Sequence, residues 1–211
     1  MKVIVTRPRE QAGPLVARLE ELGHEVVACP LIRIEPLAGP VDVEAYEWVI
    51  VTSPNGAREL VSRARGDLPK VAAVGPGTAE TLRELGVEPA FVPTVSSQDG
   101  LVAEFPRPEG RVLFAAAEGA RKGPVEELGA DFVALYRTHL VRPPAPPVGD
   151  VVVLASGSAA RSFAELGTDI PVVSIGPQTT QAAEEAGLRV VAEATSQDLD
   201  GLVSAVGGLP S

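Results

Sequence analysis

Six short segments in this chain share a character that suits the binding of anions. They are Thr6-Arg7-Pro8, Thr52-Ser53-Pro54-Asn55-Gly56, Gly75-Pro76-Gly77-Thr78, Ala115–Gly119, Ser156-Gly157-Ser158 and Gly176-Pro177-Gln178-Thr179. Each follows an apolar run, and most open an amphipathic one. Helix N-termini expose unpaired backbone N–H groups with partial positive charge, and such ends hold carboxylates or phosphates. The candidate binding residues are therefore Thr6, Arg7, Ser53, Asn55, Gly75, Thr78, Ser156, Ser158, Gly176, Gln178 and Thr179. The plainer reading of any one of these turns is capping alone, because Ser, Thr and Asn are good N-caps. Six such turns at strand ends favour a shared role.

Tyr136 stands apart from this set of turns. It lies in Leu135-Tyr136-Arg137-Thr138-His139, at the end of a strand expected over 131–136. A phenol there can donate a proton or a hydrogen bond, and Tyr136 is the candidate catalytic residue. Other chemistry has little to draw on. His24 and His139 are the only histidines and lie far apart. There is no Cys/His cluster for zinc, and no metal or cofactor is expected. Neither G-x-G-x-x-G nor G-x-x-x-x-G-K-[ST] occurs. The Ser156-Gly157-Ser158 sequence lacks the spacing of a nucleophile elbow.

The elements that must position these residues follow from hydropathy. Short Val/Ile/Leu-rich runs predict strands near 2–6, 25–29, 47–52, 71–74, 89–92, 111–115, 131–136, 150–155, 171–175 and 189–192. They are apolar on both faces, as buried parallel strands are. Helical patterns lie between many of them. Leu15, Val16, Leu19 and Leu22 share a face and stop at Gly23; Thr78–Leu85 stops at Gly86 and Gln178–Ala186 at Gly187. This rhythm predicts an α/β chain of doubly wound parallel sheets, two flavodoxin-like lobes of about five strands each.

The chain also repeats itself. Residues 71–85 resemble 172–186, with Gly75 matching Gly176; 3–6 resemble 112–115, 49–53 resemble 152–156, and 96–99 resemble 195–198. Proline-rich stretches interrupt the chain at 36–40 and 143–147. Cutting there predicts a discontinuous lobe one, 1–35 with 148–211, and an inserted lobe two, 41–138. The linkers are 36–40 and 139–147, two chain crossings side by side. A pseudo-symmetric pair of lobes has a natural ligand site in the cleft between them, with Tyr136 at its floor.

Bulk properties exclude several classes. Acidic residues number 28 against 18 basic, a net charge of −10. This balance disfavours a nucleic-acid or anionic-membrane surface, either of which needs a basic patch. The single cysteine, Cys29, cannot form an internal disulfide, and Met1-Lys2 leads straight into a strand, so a cytoplasmic protein is expected. No apolar run approaches the roughly 20 residues of a membrane span. A monomer is the default expectation.

Taken in order, several segments resemble the uroporphyrinogen-III synthase family. They are Val5-Thr6-Arg7-Pro8, Cys29–Pro36, Val51–Gly56, Ala73–Thr78, Leu135–Thr138 and Ser174–Thr179. The likeness spans nearly the whole chain. It implies a cofactor-free lyase acting on hydroxymethylbilane, a linear tetrapyrrole with eight carboxylates, with hand-over from hydroxymethylbilane synthase as a further expectation. The enzyme removes water, inverts the last ring and closes the macrocycle to uroporphyrinogen III. By resemblance, Tyr136 matches the tyrosine proposed as the acid for the leaving hydroxyl. Two positions depart from the family pattern. Ala116–Arg121 carries alanines where relatives place Arg-Gly or Gly, and its Glu118 would repel a carboxylate. Gln178 replaces a small hydroxyl residue. The alternative is a non-catalytic, two-lobed small-anion binder or sensor, which would bind tightly without turnover.

Overall fold

The computed structural model describes residues 1–210. In chain order the elements are β1 (Lys2–Val5), α1 (Arg9–Glu21), β2 (Glu25–Ala28), β3 (Ile32–Pro36), β4 (Val41–Asp42), β5 (Trp48–Val51), α2 (Pro54–Arg63), β6 (Ala64–Arg65), β7 (Lys70–Ala73) and α3 (Pro76–Glu84). They continue as α4 (Gln98–Glu104), β8 (Val112–Ala117), α5 (Gly123–Leu128), β9 (Asp131–Leu140), β10 (Val151–Leu154), α6 (Gly157–Ala164), β11 (Val172–Ser174), α7 (Pro177–Glu185), β12 (Val190–Glu193) and α8 (Leu199–Gly207).

Two compact units result. The first comprises Met1–Ile34 and the chain from His139 onward; the second is Glu35–Thr138. In the first, the strand order is β12-β11-β10-β1-β2, every pair parallel. Alternation along each strand supplies two cores. Val3, Val5, Val151 and Val153 face Leu15 and Leu19 of α1 and Leu202 and Val206 of α8. Ile4, Val152 and Leu154 face Ala159, Ala160 and Phe163 of α6 and Ala183 of α7. With both faces covered, the central strands β1, β10 and β11 have no solvent-facing side, which is why they read as apolar runs.

The second unit has the order β3-β9-β8-β5-β7. Trp48, Ile50, Val112 and Phe114 face Leu101 and Phe105 of the α4 region, with Trp48 edge-on to Phe105 at 5.2 Å between centroids. Ala57, Leu60, Ala79 and Leu82 are buried on α2 and α3. The expected strand at 89–92 is a single bridge, Phe91 to Ala72. Pro89 and Pro93 flank it, and proline cannot donate to a ladder.

Three expectations are corrected. The crossings were expected in the linkers 36–40 and 139–147, but the chain leaves the first unit within β3 and returns within β9. Leu37 N–H bonds Leu135 O at 2.9 Å and Val141 N–H bonds Leu31 O at 2.8 Å. That reversed order makes the two strands antiparallel. β9 therefore extends past the expected end at 136 to Leu140. Leu22, expected on the buried face of α1, caps the helix and is 53% exposed. The helix stops where Gly23 takes φ 81°, the left-handed conformation that favours glycine.

Candidate active site

The register of β8 against β9 slips at one point. Ala116 pairs with Ala134, but Ala117 pairs with Tyr136. Leu135 is the extra residue of a bulge, so Leu135 and Tyr136, though adjacent, are both buried. A bulge re-aims the side chain that follows it. Tyr136 thus lies within β9 rather than at its end, yet level with the carboxyl end of β8. Ala116 and Ala117, expected in a turn, are strand residues.

The Tyr136 hydroxyl lies 2.8 Å from the Ser53 hydroxyl. Ser53 follows β5 and caps α2, accepting the Gly56 N–H at 3.0 Å. Pro54 at the first helical position loses no hydrogen bond, since that N–H has no partner in a helix. Tyr136 is 6% exposed. Burial pushes its phenol above the ordinary tyrosine range, and the hydrogen bond with Ser53 opposes that in part. The phenol is therefore protonated at neutral pH. Asn55, half-buried, sits in the first turn of the same helix.

The other predicted residues fall into groups. Ser156 caps α6, accepting the Ala159 N–H at 3.2 Å. Ser158, in the first turn of α6, accepts weakly from Arg161 at 3.5 Å. Arg7 is half-buried just after β1, and Gln178 is exposed in the first turn of α7. The side chains of three others are buried. Thr6 is fully buried and donates to Val153 O at 2.8 Å. Thr78 and Thr179 are 4% and 5% exposed. Their side chains pack rather than face solvent.

Gly75 and Gly176 begin α3 and α7 with extended backbone, φ −177° and 163°. Backbone strain does not require glycine at either. Space does: a Cβ on Gly75 would lie 2.9 Å from Ser96 Oγ, and one on Gly176 would lie 2.7 Å from Gln197 Cγ. The same correspondence resets the repeat. Ser97 caps α4 through Gly100 N–H at 2.9 Å, and Asp198 caps α8 through Gly201 N–H at 2.7 Å. Ser97 thus matches Asp198, two residues out of step with the alignment of 96–99 to 195–198.

Two of the arginines that could attract carboxylates are already paired. Arg137 holds Glu118 through two bonds of 2.6 and 2.7 Å, and Arg142 holds Glu165 at 2.7 Å. The Glu118 charge is thereby offset. One polar chain was missed by sequence: buried Ser174, at the end of β11, lies 2.6 Å from Thr180 Oγ1, which also bonds Glu193. A serine inside an apolar strand was its only signal.

The arrangement amounts to a pair of neutral hydroxyls at the turn that opens α2, able to donate a hydrogen bond or a proton.

Comparison with known proteins gives a consistent result. The family model described as uroporphyrinogen-III synthase HemD matches residues 13–204. A porphyrin biosynthesis protein HemD of Ruminiclostridium josui is 30% identical over 98% of this chain, which spans 49% of that protein's length. A uroporphyrinogen-III synthase of Synechococcus elongatus is 28% identical, covering 97% of this chain and 93% of that one. In fold, a mutant uroporphyrinogen III synthase of the extreme thermophile Thermus thermophilus superposes with TM-score 0.68 at 16% identity, over 98% of this chain and 97% of the other.

Proposed function

The chain belongs to the uroporphyrinogen-III synthase family, and from that premise we propose that it closes hydroxymethylbilane to uroporphyrinogen III with loss of water and inversion of the last ring. The match along residues 13–204 carries the reaction. The hydroxyl pair Ser53–Tyr136 gives that reaction a proton source.

The chemistry asks little of side chains. Loss of the terminal hydroxyl leaves an electrophilic azafulvene. The substrate also closes unaided, to the uninverted isomer, so the enzyme's work is orientation and help to the leaving group. Holding a near-attack geometry supplies several kcal/mol without a reactive group. Attack through the substituted carbon of the last ring gives a spiro intermediate, which fragments and recloses with that ring turned over. The Ser53–Tyr136 pair, with Tyr136 as the ultimate acid, supplies the proton that departs with the hydroxyl. Backbone N–H groups opening α2, α3, α6 and α7 receive substrate carboxylates, assisted by Arg7, Asn55, Ser158 and Gln178.

Its direct precursor is the product of hydroxymethylbilane synthase, and hand-over from that enzyme fits a substrate that closes spontaneously. We take the protein to be a cytoplasmic monomer; the buried, free Cys29 suits a reducing compartment. No helix among the described residues is long and apolar enough to cross a membrane.

The test is isomer analysis. The protein is incubated with freshly generated hydroxymethylbilane, and the products are oxidised to porphyrins and separated. Dominant type III is expected. Type I alone, at the uncatalysed rate, rejects the proposal and favours a non-catalytic anion binder.

A further inference from the structure

We propose that Ser53 is itself a catalytic residue: its hydroxyl meets the leaving hydroxyl of the substrate, and Tyr136 replenishes its proton from behind. This rests on the synthase function above and deepens it.

Hydrogen-bond accounting sets the direction. A serine hydroxyl has one donor and two acceptor positions. The Gly56 N–H fills one acceptor at 3.0 Å. Tyr136, 2.8 Å away, fills the other if it donates. Ser53 then keeps its own proton for an outside partner. In the reverse arrangement Ser53 donates inward, and the phenol proton needs another acceptor. Tyr136 is 6% exposed, and Ser53 is its one side-chain hydrogen-bond partner among the described residues. A buried donor left unsatisfied carries the full desolvation penalty of the group. The forward arrangement wins, and it places the more exposed hydroxyl outermost.

The repeat supplies an internal control. Ser156 occupies the equivalent turn and caps α6 in the same way, through Ala159 N–H. No tyrosine backs it. Capping therefore does not need the phenol, and the Ser53–Tyr136 pair is an addition to one copy. Two local features support that addition. The β9 bulge directs Tyr136. Gly56 leaves room beside Ser53, where a Cβ would sit 3.2 Å from the hydroxyl oxygen.

The step balances. The Ser53 O–H breaks and its proton goes to the substrate hydroxyl. The C–O bond breaks with its electron pair, releasing water and leaving a cationic azafulvenium. The Tyr136 proton moves to Ser53 Oγ, leaving a phenolate. When the closed macrocycle regains aromaticity it releases a ring hydrogen as a proton, which returns through Ser53 to the phenolate.

The experiment measures single-turnover dehydration and product isomers for wild type, Ser53→Ala, Tyr136→Phe, the double variant and Ser53→Thr. Each single loss is expected to slow the step about tenfold or more, the lower end of general-acid effects. The double variant should be no slower than the slower single, because both break one relay. Ser53→Thr, which keeps hydroxyl and cap, should recover most of the rate. A proton inventory of wild type in mixed light and heavy water should bow, showing two protons in motion, and needs no variant to fold. Ser53→Ala turnover within twofold of wild type beside a slow Tyr136→Phe, strictly multiplicative losses, or a linear wild-type inventory each overturn the relay and leave the synthase function standing. Type I alone from wild type overturns both.

Discussion

The phenol of Tyr136 is held where a weak acid is useful. Its environment favours the neutral form, chiefly through burial. Tyr136→Phe should slow turnover about tenfold or more, while losing only about 1 kcal/mol of stability with the Ser53 hydrogen bond. Steady-state rates and thermal unfolding check both parts; an unchanged rate removes Tyr136 as proton source. The sign of the pH dependence follows from the raised phenol. The folded state holds this proton more tightly than the unfolded chain does. Its contribution to stability is thus fully present below the ordinary tyrosine range and is lost as pH rises through the folded value. The alkaline loss of activity due to Tyr136 should fall above the ordinary tyrosine range and vanish in Tyr136→Phe. A rate profile from neutral to strongly alkaline pH tests this, and an alkaline loss unchanged in that variant contradicts it.

At the scale of elements, the turn before α8 shows how little slack the helix starts have. A Cβ on Gly201 would lie 2.1 Å from the Ser196 carbonyl oxygen, and one on Gly100 would lie 2.3 Å from the Val95 oxygen. Both contacts are with backbone, which cannot swing aside as a side chain does. Gly201→Ala is therefore expected to destabilise by about 1–3 kcal/mol, the usual range for overpacking. Asp198→Ala, which removes the cap and the bond from the Ser196 hydroxyl, should cost about 1 kcal/mol. Chemical denaturation of the two variants measures each; a Gly201→Ala protein as stable as wild type would show that the turn relaxes. The two glycines are equivalent in the repeat, so Gly100→Ala should behave alike in the second unit.

For the whole molecule, the two units share one strand order, drawn from different stretches of chain, with β3 an added edge strand in the second. Reading across the sheets, β2-β1-β10-β11-β12 matches β9-β8-β5-β7 with the Phe91 bridge. The matching sequence segments, 3–6 with 112–115 and 49–53 with 152–156, fall on matching strands. Charge acts at the same scale. A protein of net charge −10 repels an octacarboxylate until the two are close. Raising the salt from about 10 mM to 150 mM shortens the screening length from about 30 to about 8 Å. The value of kcat/KM should rise or hold over that range, as measured by initial rates against sodium chloride. A steep fall would instead reveal a local positive field strong enough to steer the substrate.

Apolar periodicity, glycine stops and the internal repeat determined the fold class, most strands and the stops of α1, α3 and α7, because these are properties of local chain chemistry. They also brought Ser53 and Tyr136 onto one short list. What they left undecided were features that depend on pairing between distant segments. β3 is a strand because it lies against β9: Ile32-Arg33-Ile34-Glu35 alternates as a strand does, but the run is short and ends at Pro36, so its pairing rather than its length declares it. The bulge opposite Ala117, which aims Tyr136, is a matter of register and has no composition of its own. Thr6, Thr78 and Thr179 are hydroxyl residues at strand ends, where the side chain serves either solvent or packing, and only tertiary contacts bury them. The hydrogen bond from residue 136 to residue 53 is of this kind as well: each partner is visible alone, and the 2.8 Å between them exists only when β5, β8 and β9 are laid side by side.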